Sequence, residues 1–359
     1  MKKFLIVLCA LSFIGLPHAE AAAPVIRIID KPHINADGTF RENDLDVALL
    51  PTGRLGKLVF GPPSSRETFV IDAALVDEII AISQGVTPMK ITAENWLYRL
   101  KNTTRDNKVV ALPYGNPDEK LLKRIAPSEL NFYSRFAENR LQTFLDRPIV
   151  AERGWSSGRS RLSQKFIANY SDNRRLLTGL ATLTDAPEVN ELRARLGVVL
   201  NPLLNKEERA YFSYNKNRAV RDISNKLKVI SGKYQITSSG AKLPVTLVNN
   251  FETATTVSVS LIPMNSRMQI ENVNNVELAA KSRQQILVPV DVIAPGTTLV
   301  VAQFINSKGE PAGLVSQLNL TATIIDSRVA WFTTAAAVLL LLGAITQSVR
   351  RVRKVRHEK

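Results

Sequence analysis

Residues 22 to about 227 alternate short apolar runs with segments whose apolar residues recur at helical spacing. In the clearest unit, the run at 68–71 is followed by Leu75, Ile79 and Ile82, which share one helix face. This alternation predicts a parallel sheet with crossover helices. Three units are too few for a closed eight-unit barrel, so we expect an α/β domain with an open parallel sheet or a partial barrel. Strands are predicted at 68–71, 108–112 and 148–150, and helices at 73–83, 93–100, 128–145 and 157–170, with helices alone from 172 to 227.

The pattern changes at about residue 228 to short strands with alternating apolar and polar positions. Val257, Val259 and Leu261, for example, alternate with Ser and Thr. Turn residues separate the runs every 8–12 residues or so, which is typical of an all-β immunoglobulin-like sandwich. Strands are predicted at 233–237, 243–248, 256–262, 268–270, 276–278, 285–292, 298–304 and 314–323.

The segment 329–349 has no charged residue and is long enough for a transmembrane helix, which needs about 20 apolar residues. Lys and Arg collect on the cytoplasmic side of a span, so the C-terminus is expected inside the cell and the preceding chain outside. Trp331 and Phe332 would lie at the outer headgroup level. The alternative is a buried core helix with a basic end. The basic residues that set this topology are Arg350, Arg351, Arg353, Lys354 and Arg356.

The N-terminus has the three parts of a secretory signal peptide. Lys2 and Lys3 precede an apolar run, and small residues around Ala21 offer a cleavage site, with cleavage after Ala23 as the alternative. The sole cysteine, Cys9, lies in the apolar run, so the mature chain would have no disulfide or thiolate chemistry. The predicted order is a signal peptide (1–21), the α/β domain (22–227), the sandwich (228–325), the transmembrane helix (329–349) and a basic cytoplasmic tail (350–359). This order describes a single-pass type I protein of the cell membrane.

The net charge of +15 narrows the range of partners. After the signal and the tail are set aside, about +9 remains on the part expected outside the cell. Such a charge would attract anionic lipid headgroups or an anionic wall polymer, although it could equally serve solubility. A nucleic acid is not expected as a partner, because the exported location offers none.

Five side chains lie just past the carboxyl ends of the predicted strands: Asp72, Tyr114, Asp118, Glu152 and Trp155. Functional groups gather at the carboxyl ends of parallel strands. Asp72, Asp118 and Glu152 are therefore candidate catalytic carboxylates for acid–base work on a glycan, which needs a separation of roughly 5–9.5 Å. The alternative is that Asp72 and Asp118 cap helix N-termini, where the dipole favours a negative side chain. A second capping hypothesis places Asn116 as the N-cap and Pro117 as the first residue of the next helix.

Residues 154–158 match the G-x-S-x-G nucleophile elbow, but a Ser–His hydrolase needs a histidine after the serine. Only His357, in the tail, follows it, so Gly154 and Gly158 are interpreted as turn residues. The scarcity of histidine also argues against a zinc site, and we expect neither a metal nor a cofactor. Tyr114, Trp155, Arg153, Arg159 and Arg161 are the candidate binding residues. The arginines form a basic cluster with Arg147 and Lys165 that could bind an anionic polymer or be a solvated helix face.

Several stretches together resemble an uncharacterised actinobacterial family of secreted membrane proteins that are anchored at the C-terminus. They are the stretches at 70–75, 96–97 and 111–118 (Ala-Leu-Pro-Tyr-Gly-Asn-Pro-Asp), then 243–250, 257–261 and 286–290, then the apolar segment and the Arg-rich tail. The chain departs from the family pattern where Ala73 and Asn116 replace the usual Pro and Asp. The resemblance implies a location in the cell envelope and, because members are often encoded beside a lipid II flippase, a link to assembly of peptidoglycan precursors. It implies no catalytic activity.

These observations favour a single-span envelope protein whose outer part is a non-catalytic binding or scaffold surface for a protein partner such as a lipid II flippase. The alternative is a carboxylate-based enzyme acting on envelope glycans. A third reading is a receptor for a soluble ligand.

Overall fold

The computed structural model describes residues 23–41, 44–62, 66–149, 152–156, 158–323 and 327–357. Within them the chain forms two compact units. The first comprises the described parts of Met1–Asp30, Glu42–Pro113 and Ala137–Trp155, and the second those of Lys31–Arg41, Tyr114–Phe136 and Ser156–Lys359. The division therefore differs from the predicted boundary at residue 228, since the helices before that residue cluster with the sandwich.

The first unit contains an open three-stranded parallel sheet in the order β1-β2-β3. Its central strand is buried at every position, as expected for a parallel strand covered on both faces. The parallel sheet of the α/β prediction is therefore present. The strands are β1 (Val25–Ile28), β2 (Thr68–Asp72) and β3 (Lys108–Leu112), and the helices before residue 113 are α1 (Asp44–Leu49), α2 (Gly56–Val59), α3 (Ala73–Gln84) and α4 (Lys90–Thr103).

The predicted strand at 148–150 was wrong. Pro148 and Ile149 have no regular structure, and Val150 lies outside the described residues. The third strand is instead β1, which pairs with β2 along its whole length. A proline cannot donate a ladder hydrogen bond, whereas Val25–Ile28 can donate at each position. The helix predicted from residue 157 begins only at Gln164.

The second unit begins with a layer of helices. Their bounds are α5 (Glu119–Ile125), α6 (Pro127–Leu145, which extends beyond this unit), α7 (Gln164–Leu180), α8 (Pro187–Leu196), a 3-10 turn (Gly197–Leu200) and α9 (Lys206–Ser224). Helix α9 opens with a capping box in which Asn205 and Glu208 each accept from the other's backbone amide. The helical prediction for 172–227 is confirmed up to Ser224.

A β-sandwich completes the second unit, and all eight predicted strands are present. The strands are β4 (Leu227–Val229), β5 (Gly232–Ile236), β6 (Gly240–Asn249), β7 (Thr255–Pro263), β8 (Met268–Ile270), β9 (Val273–Leu278), β10 (Ser282–Val292), β11 (Gly296–Ile305) and β12 (Pro311–Ala322). One sheet has the order β4-β6-β10-β8 and the other β5-β12-β11-β7-β9. The short β4 was not predicted, and β5 pairs with β12 in parallel. The immunoglobulin-like prediction is thus confirmed.

Helix α7 packs against the sandwich through a close backbone approach. A Cβ added to Gly179 would lie 3.3 Å from Cα of Ala312 in β12. Nearby, the hydroxyl of Thr255 donates to the carbonyl of Leu183, and Thr184 and Thr253 share a hydroxyl contact of 3.1 Å. These contacts explain why the helices and the sandwich form one compact unit.

The C-terminal segment forms one helix, α10 (Ser327–His357), which contains the predicted span at 329–349. Leu339, Leu340, Leu341 and Leu342 on it are between 53% and 75% exposed. Over the residues that the structure describes, none of the helices combines the length and apolar character needed to cross a bilayer. The predicted transmembrane helix is therefore not confirmed. The predicted signal peptide lies outside the described residues.

Candidate functional site

The loop at 114–118, which follows β3, is held by hydrogen bonds from its own unit. Gly115 has a φ of +78° and Asn116 a φ of +46°, so two consecutive residues adopt the left-handed conformation. A Cβ on Gly115 would lie 2.7 Å from Cγ2 of Val198, which leaves no room for another residue type. The side-chain amide of Asn201 donates to the Gly115 carbonyl at 3.1 Å. The loop is therefore rigid and buried.

Asp118, a candidate catalytic residue, uses both carboxylate oxygens to accept from backbone amides. Oδ1 accepts from Leu121 at 3.0 Å and Oδ2 from Ser160 at 2.7 Å, and the side chain is only 4% exposed. Asp118 is the N-cap of α5, so the capping alternative is confirmed for this residue. Asn116 is not the N-cap, because α5 begins at Glu119 and Asn116, which adopts a left-handed conformation, lies two residues before the N-cap position.

Asp72 has the same role in the first unit. It is the N-cap of α3, buried, and its Oδ1 accepts from the Ala74 amide at 3.0 Å. The capping alternative is confirmed here as well. Since Asp72 and Asp118 belong to different compact units, the structure does not bring them together within one of them.

Glu152 lies at the amino end of the parallel sheet, and Trp155 lies on one of its faces. Neither residue lies at the carboxyl end of a strand. Glu152 forms an ion pair with Lys108, the first residue of β3, and accepts from the Trp155 indole N–H at 3.0 Å. Both hydrogen bonds lower the pKa of Glu152, with the larger effect from Lys108. The Trp155 ring packs against a buried cluster that includes Val70 and Val110. The expected strand-end position was wrong because no strand forms at 148–149 and the chain folds back over the sheet.

The backbone of Trp155 is held in place from β1. Nη1 of Arg27 donates to the Trp155 carbonyl at 2.6 Å. The segment 152–156 is thereby attached to the sheet through an ion pair, an indole hydrogen bond and a guanidinium–carbonyl hydrogen bond. Glu152 and Trp155 therefore have a structural role, which is to attach this segment to the sheet.

The glycines of the G-x-S-x-G match are turn residues, as interpreted from the sequence. Gly154 and Gly158 have φ values of +86° and +105°. The Ser156 hydroxyl shares its single proton between two acceptors, Oδ1 of Asn116 at 3.2 Å and the Pro117 carbonyl oxygen at 3.1 Å. Ser157 lies outside the described residues. Ser156 thus fastens the 114–118 loop.

The candidate binding residues fall into two groups. Tyr114 is buried and its ring meets Phe136 edge-on at 5.1 Å, so it contributes to the core. Arg153, Arg159 and Arg161 are exposed, but they precede α7 and do not form a helix face. Arg147, from the same sequence cluster, donates to the carbonyls of Thr104 and Asn107 and so stabilises the end of α4.

A buried ion pair between Glu129 and Arg193 was not predicted from the sequence. Glu129 in α6 is fully buried, and Arg193 in α8 donates to its two oxygens at 2.9 and 2.7 Å. The Arg193 guanidinium also lies 3.9 Å from the ring centre of Phe132. The Tyr133 and Tyr170 hydroxyls meet 3.0 Å apart, and burial is the main cause that raises the pKa of both. A lone Glu and a lone Arg 64 residues apart carry no sequence signal.

Two clefts in the second unit also escaped prediction. The larger, of about 840 Å³, is lined by residues 182–185, 254–256, 277–279 and 282–284. The smaller, of about 540 Å³, lies among residues 35–37, α8 and α9, and is lined by charges of both signs: Asp37, Glu188, Glu191, Arg195, Arg218, Asp222 and Lys226. Among the residues described, no group of three or more His, Cys, Asp or Glu is placed to hold a metal ion. These clefts suit a polar ligand or a peptide better than an apolar cofactor.

The second unit defines the class of protein: a helical layer packed on an immunoglobulin-like β-sandwich. The chain belongs to the "Family of unknown function (DUF6049)", whose model matches residues 148–355, more than half of the chain. None of the curated proteins matches it.

Some solved structures are similar to about a quarter of the chain. WR4, an MSP family member of C. elegans, is 14% identical, with 27% of this chain and 98% of that chain covered and a TM-score of 0.21. The E. coli chaperone DraB is 10% identical, with 27% and 55% covered and a TM-score of 0.21. A CARDB domain from Pyrococcus furiosus is 11% identical, with 28% and 93% covered and a TM-score of 0.22.

Proposed function

We propose that this is a cell-envelope protein held at the membrane by its C-terminal helix, with its two folded units outside the cell as a binding surface for an envelope-assembly partner. One observation carries the proposal. Leu339–Leu342 of α10 are exposed at four successive positions. Successive residues point about 100° apart around a helix, so the exposed leucines cover every side of it.

A helix that is apolar on all sides needs an apolar environment on all sides, which means a protein core or a bilayer. The exposed leucines argue against the core alternative. The basic residues after Val349 provide the cytoplasmic flank that orients such a segment. These features support anchoring with the C-terminus inside the cell.

The binding role is supported by the hydrogen bonds and ion pair that the three predicted catalytic carboxylates make. Asp72 and Asp118 accept from backbone amides at helix N-termini, and Glu152 is paired with Lys108. Each therefore has a structural use, which favours the scaffold hypothesis over an enzyme built on these three residues. The proposed partner is a multi-span protein of peptidoglycan-precursor assembly, such as a lipid II flippase; this choice comes from the resemblance described above.

Membrane attachment is tested by sedimentation of membranes after an alkaline carbonate wash. The full chain is expected to stay in the pellet, and the double variant Leu340→Arg/Leu341→Arg to be released, since each arginine at the centre of a span costs about 2.5–3.5 kcal/mol. The matched control is Leu287→Arg/Val315→Arg, which adds the same charge at two exposed positions of the sandwich. Release of the unmodified chain would refute the proposal.

The binding role is tested by crosslinking in intact membranes, followed by recovery of the protein. A multi-span partner is the expected product, and it should also be recovered with the Asp72→Asn and Asp118→Asn variants if they remain folded by circular dichroism. Loss of biological function in folded variants that still capture the partner would favour the glycan-acting alternative.

A further inference from the structure

We propose that the end of the sandwich from which the chain leaves for α10 is a lipid-contacting surface, whose apolar loop residues insert at the headgroup level of the bilayer. The inference rests on the membrane attachment proposed above and extends it to a second point of contact. We name this end the exit tip and define it by the loops 264–267 and 293–295, with the adjoining Ile262.

Strand register places these loops beside the point of exit. Gly296, which follows the second loop, pairs with Ala322, the last residue of β12. Pro263, which precedes the first loop, pairs with Val300, and the Met264 amide donates to the Leu299 carbonyl. Both loops therefore lie at the end of the sandwich where β12 stops.

The chain between β12 and α10 is short. Residues 323–326 separate Ala322 from Ser327. Even fully extended, this stretch spans at most about 17 Å. If α10 enters a bilayer from its first residue, Ala322, which pairs with Gly296 beside the exit tip, is therefore kept within that distance of the place of entry.

The exit tip carries three exposed apolar side chains. Ile262, Met264 and Ile293 are 49%, 63% and 69% exposed. At the opposite end, the turn between β11 and β12 reads Asn-Ser-Lys-Gly-Glu, and Ser307 and Lys308 there are exposed. Three of the five exposed large apolar side chains described on the sandwich thus lie on the side that the anchor would hold against the membrane, and the other two, Leu287 and Val315, lie within β10 and β12.

The two loops of the exit tip are fastened to each other. Nη1 of Arg267 donates to the Pro295 carbonyl at 2.6 Å, and the Ile293 amide donates to the Arg267 carbonyl at 2.8 Å. The loops therefore present Met264 and Ile293 as one fixed surface.

The test uses fluorophore-labelled cysteines in the full chain, reconstituted in phosphatidylcholine nanodiscs. Cys9→Ser removes the native thiol, so that Met264→Cys, Ile293→Cys and the control Ser307→Cys each give one labelling site. The control lies beyond the far end of β11, whose ten residues span about 33 Å. Brominated lipid should quench the labels at 264 and 293 at least twofold and leave the label at 307 unchanged, while aqueous iodide should show the reverse order.

Equal quenching of all three labels by iodide, in protein that remains in the nanodisc, would overturn the lipid contact and leave the anchor standing. Protection of 264 and 293 from both quenchers would also overturn it, because a second copy or a protein partner would then cover the exit tip. Protein that elutes apart from the nanodiscs would refute the proposed function and this inference with it.

Discussion

The 114–118 loop and the exit tip are both connections at strand ends, yet they treat their side chains in opposite ways. In the loop, Asn116 and Asp118 are buried and hydrogen bonded within the fold. At the exit tip, Met264 and Ile293 are directed outward and make up an exposed apolar surface. The 114–118 loop, whose polar residues suggest a functional site in the sequence, uses its side chains for internal hydrogen bonds. The exit tip, whose sequence carries no functional signal, exposes apolar side chains that an external partner can contact.

The largest effect is expected from Gly115→Ala, which places a Cβ 2.7 Å from Val198 on a residue with a φ of +78°. Left-handed strain and overpacking together should lower the free energy of unfolding by about 3 kcal/mol. The control is Gly154→Ala, where φ is +86° and no atom lies within 4 Å of the added Cβ, so that only the strain of about 1 kcal/mol remains. Urea unfolding of the full chain in mild detergent, followed by far-ultraviolet circular dichroism, measures both. Equal losses would show that the loop is not tightly packed.

Asp118→Ala should lower the free energy of unfolding by about 2 kcal/mol, because two backbone amides lose a charged acceptor. Asp72→Ala removes the side-chain acceptor of the Ala74 amide and should cost about 1 kcal/mol, as typical for an N-cap. The same urea titration compares them. A variant with unchanged stability would contradict the structural role assigned to that carboxylate.

Glu152→Gln should destabilise the first unit less than either cap variant does, and only at neutral pH. The Lys108 and Trp155 hydrogen bonds lower the pKa of Glu152 in the folded chain, so their stabilisation is present above the ordinary glutamate pKa. It is lost as the pH falls through the lowered value. Wild-type and variant stabilities should therefore converge in acid when measured by urea titrations from pH 7 down to pH 3. A difference that grows as the pH falls would contradict this sign.

The smallest change in stability is expected for Ile293→Ser at the exit tip. The side chain is 69% exposed, so its loss should alter the free energy of unfolding by less than about 0.5 kcal/mol. The matched control is Val290→Ser on β10, whose buried side chain packs inside the sandwich and should cost about 2 kcal/mol or more. If Ile293→Ser destabilised the chain as much as the control does, the exit tip would be part of the core.

The sequence predicted most of the elements because they depend on local periodicity. The spacing of apolar side chains alone predicts the buried strand before Ala73 and the alternating strand around Val259. The assignment of Asp72 and Asp118 was open at that level, since a carboxylate at a strand end is equally compatible with catalysis and with capping. Whether it caps is decided by which amides it reaches.

Other features depended on pairings distant in the chain, for which local periodicity gives no signal. The strand at Val25–Ile28 exists because it pairs with β2 about 40 residues later, and the short sequence around it does not reveal that partner. The ion pair of Glu129 with Arg193 and the clustering of exposed apolar residues at the exit tip likewise follow from long-range packing.

By itself, the order of residues determined the element types, the sandwich class and the apolar C-terminal helix, because each follows from the spacing of neighbouring side chains. Only the tertiary structure decided which strand completes the parallel sheet, which carboxylates act as helix N-caps and which apolar side chains remain exposed on the surface. The physical reason is that burial and hydrogen bonding are properties of what lies across from a residue in space, and local spacing does not specify that partner.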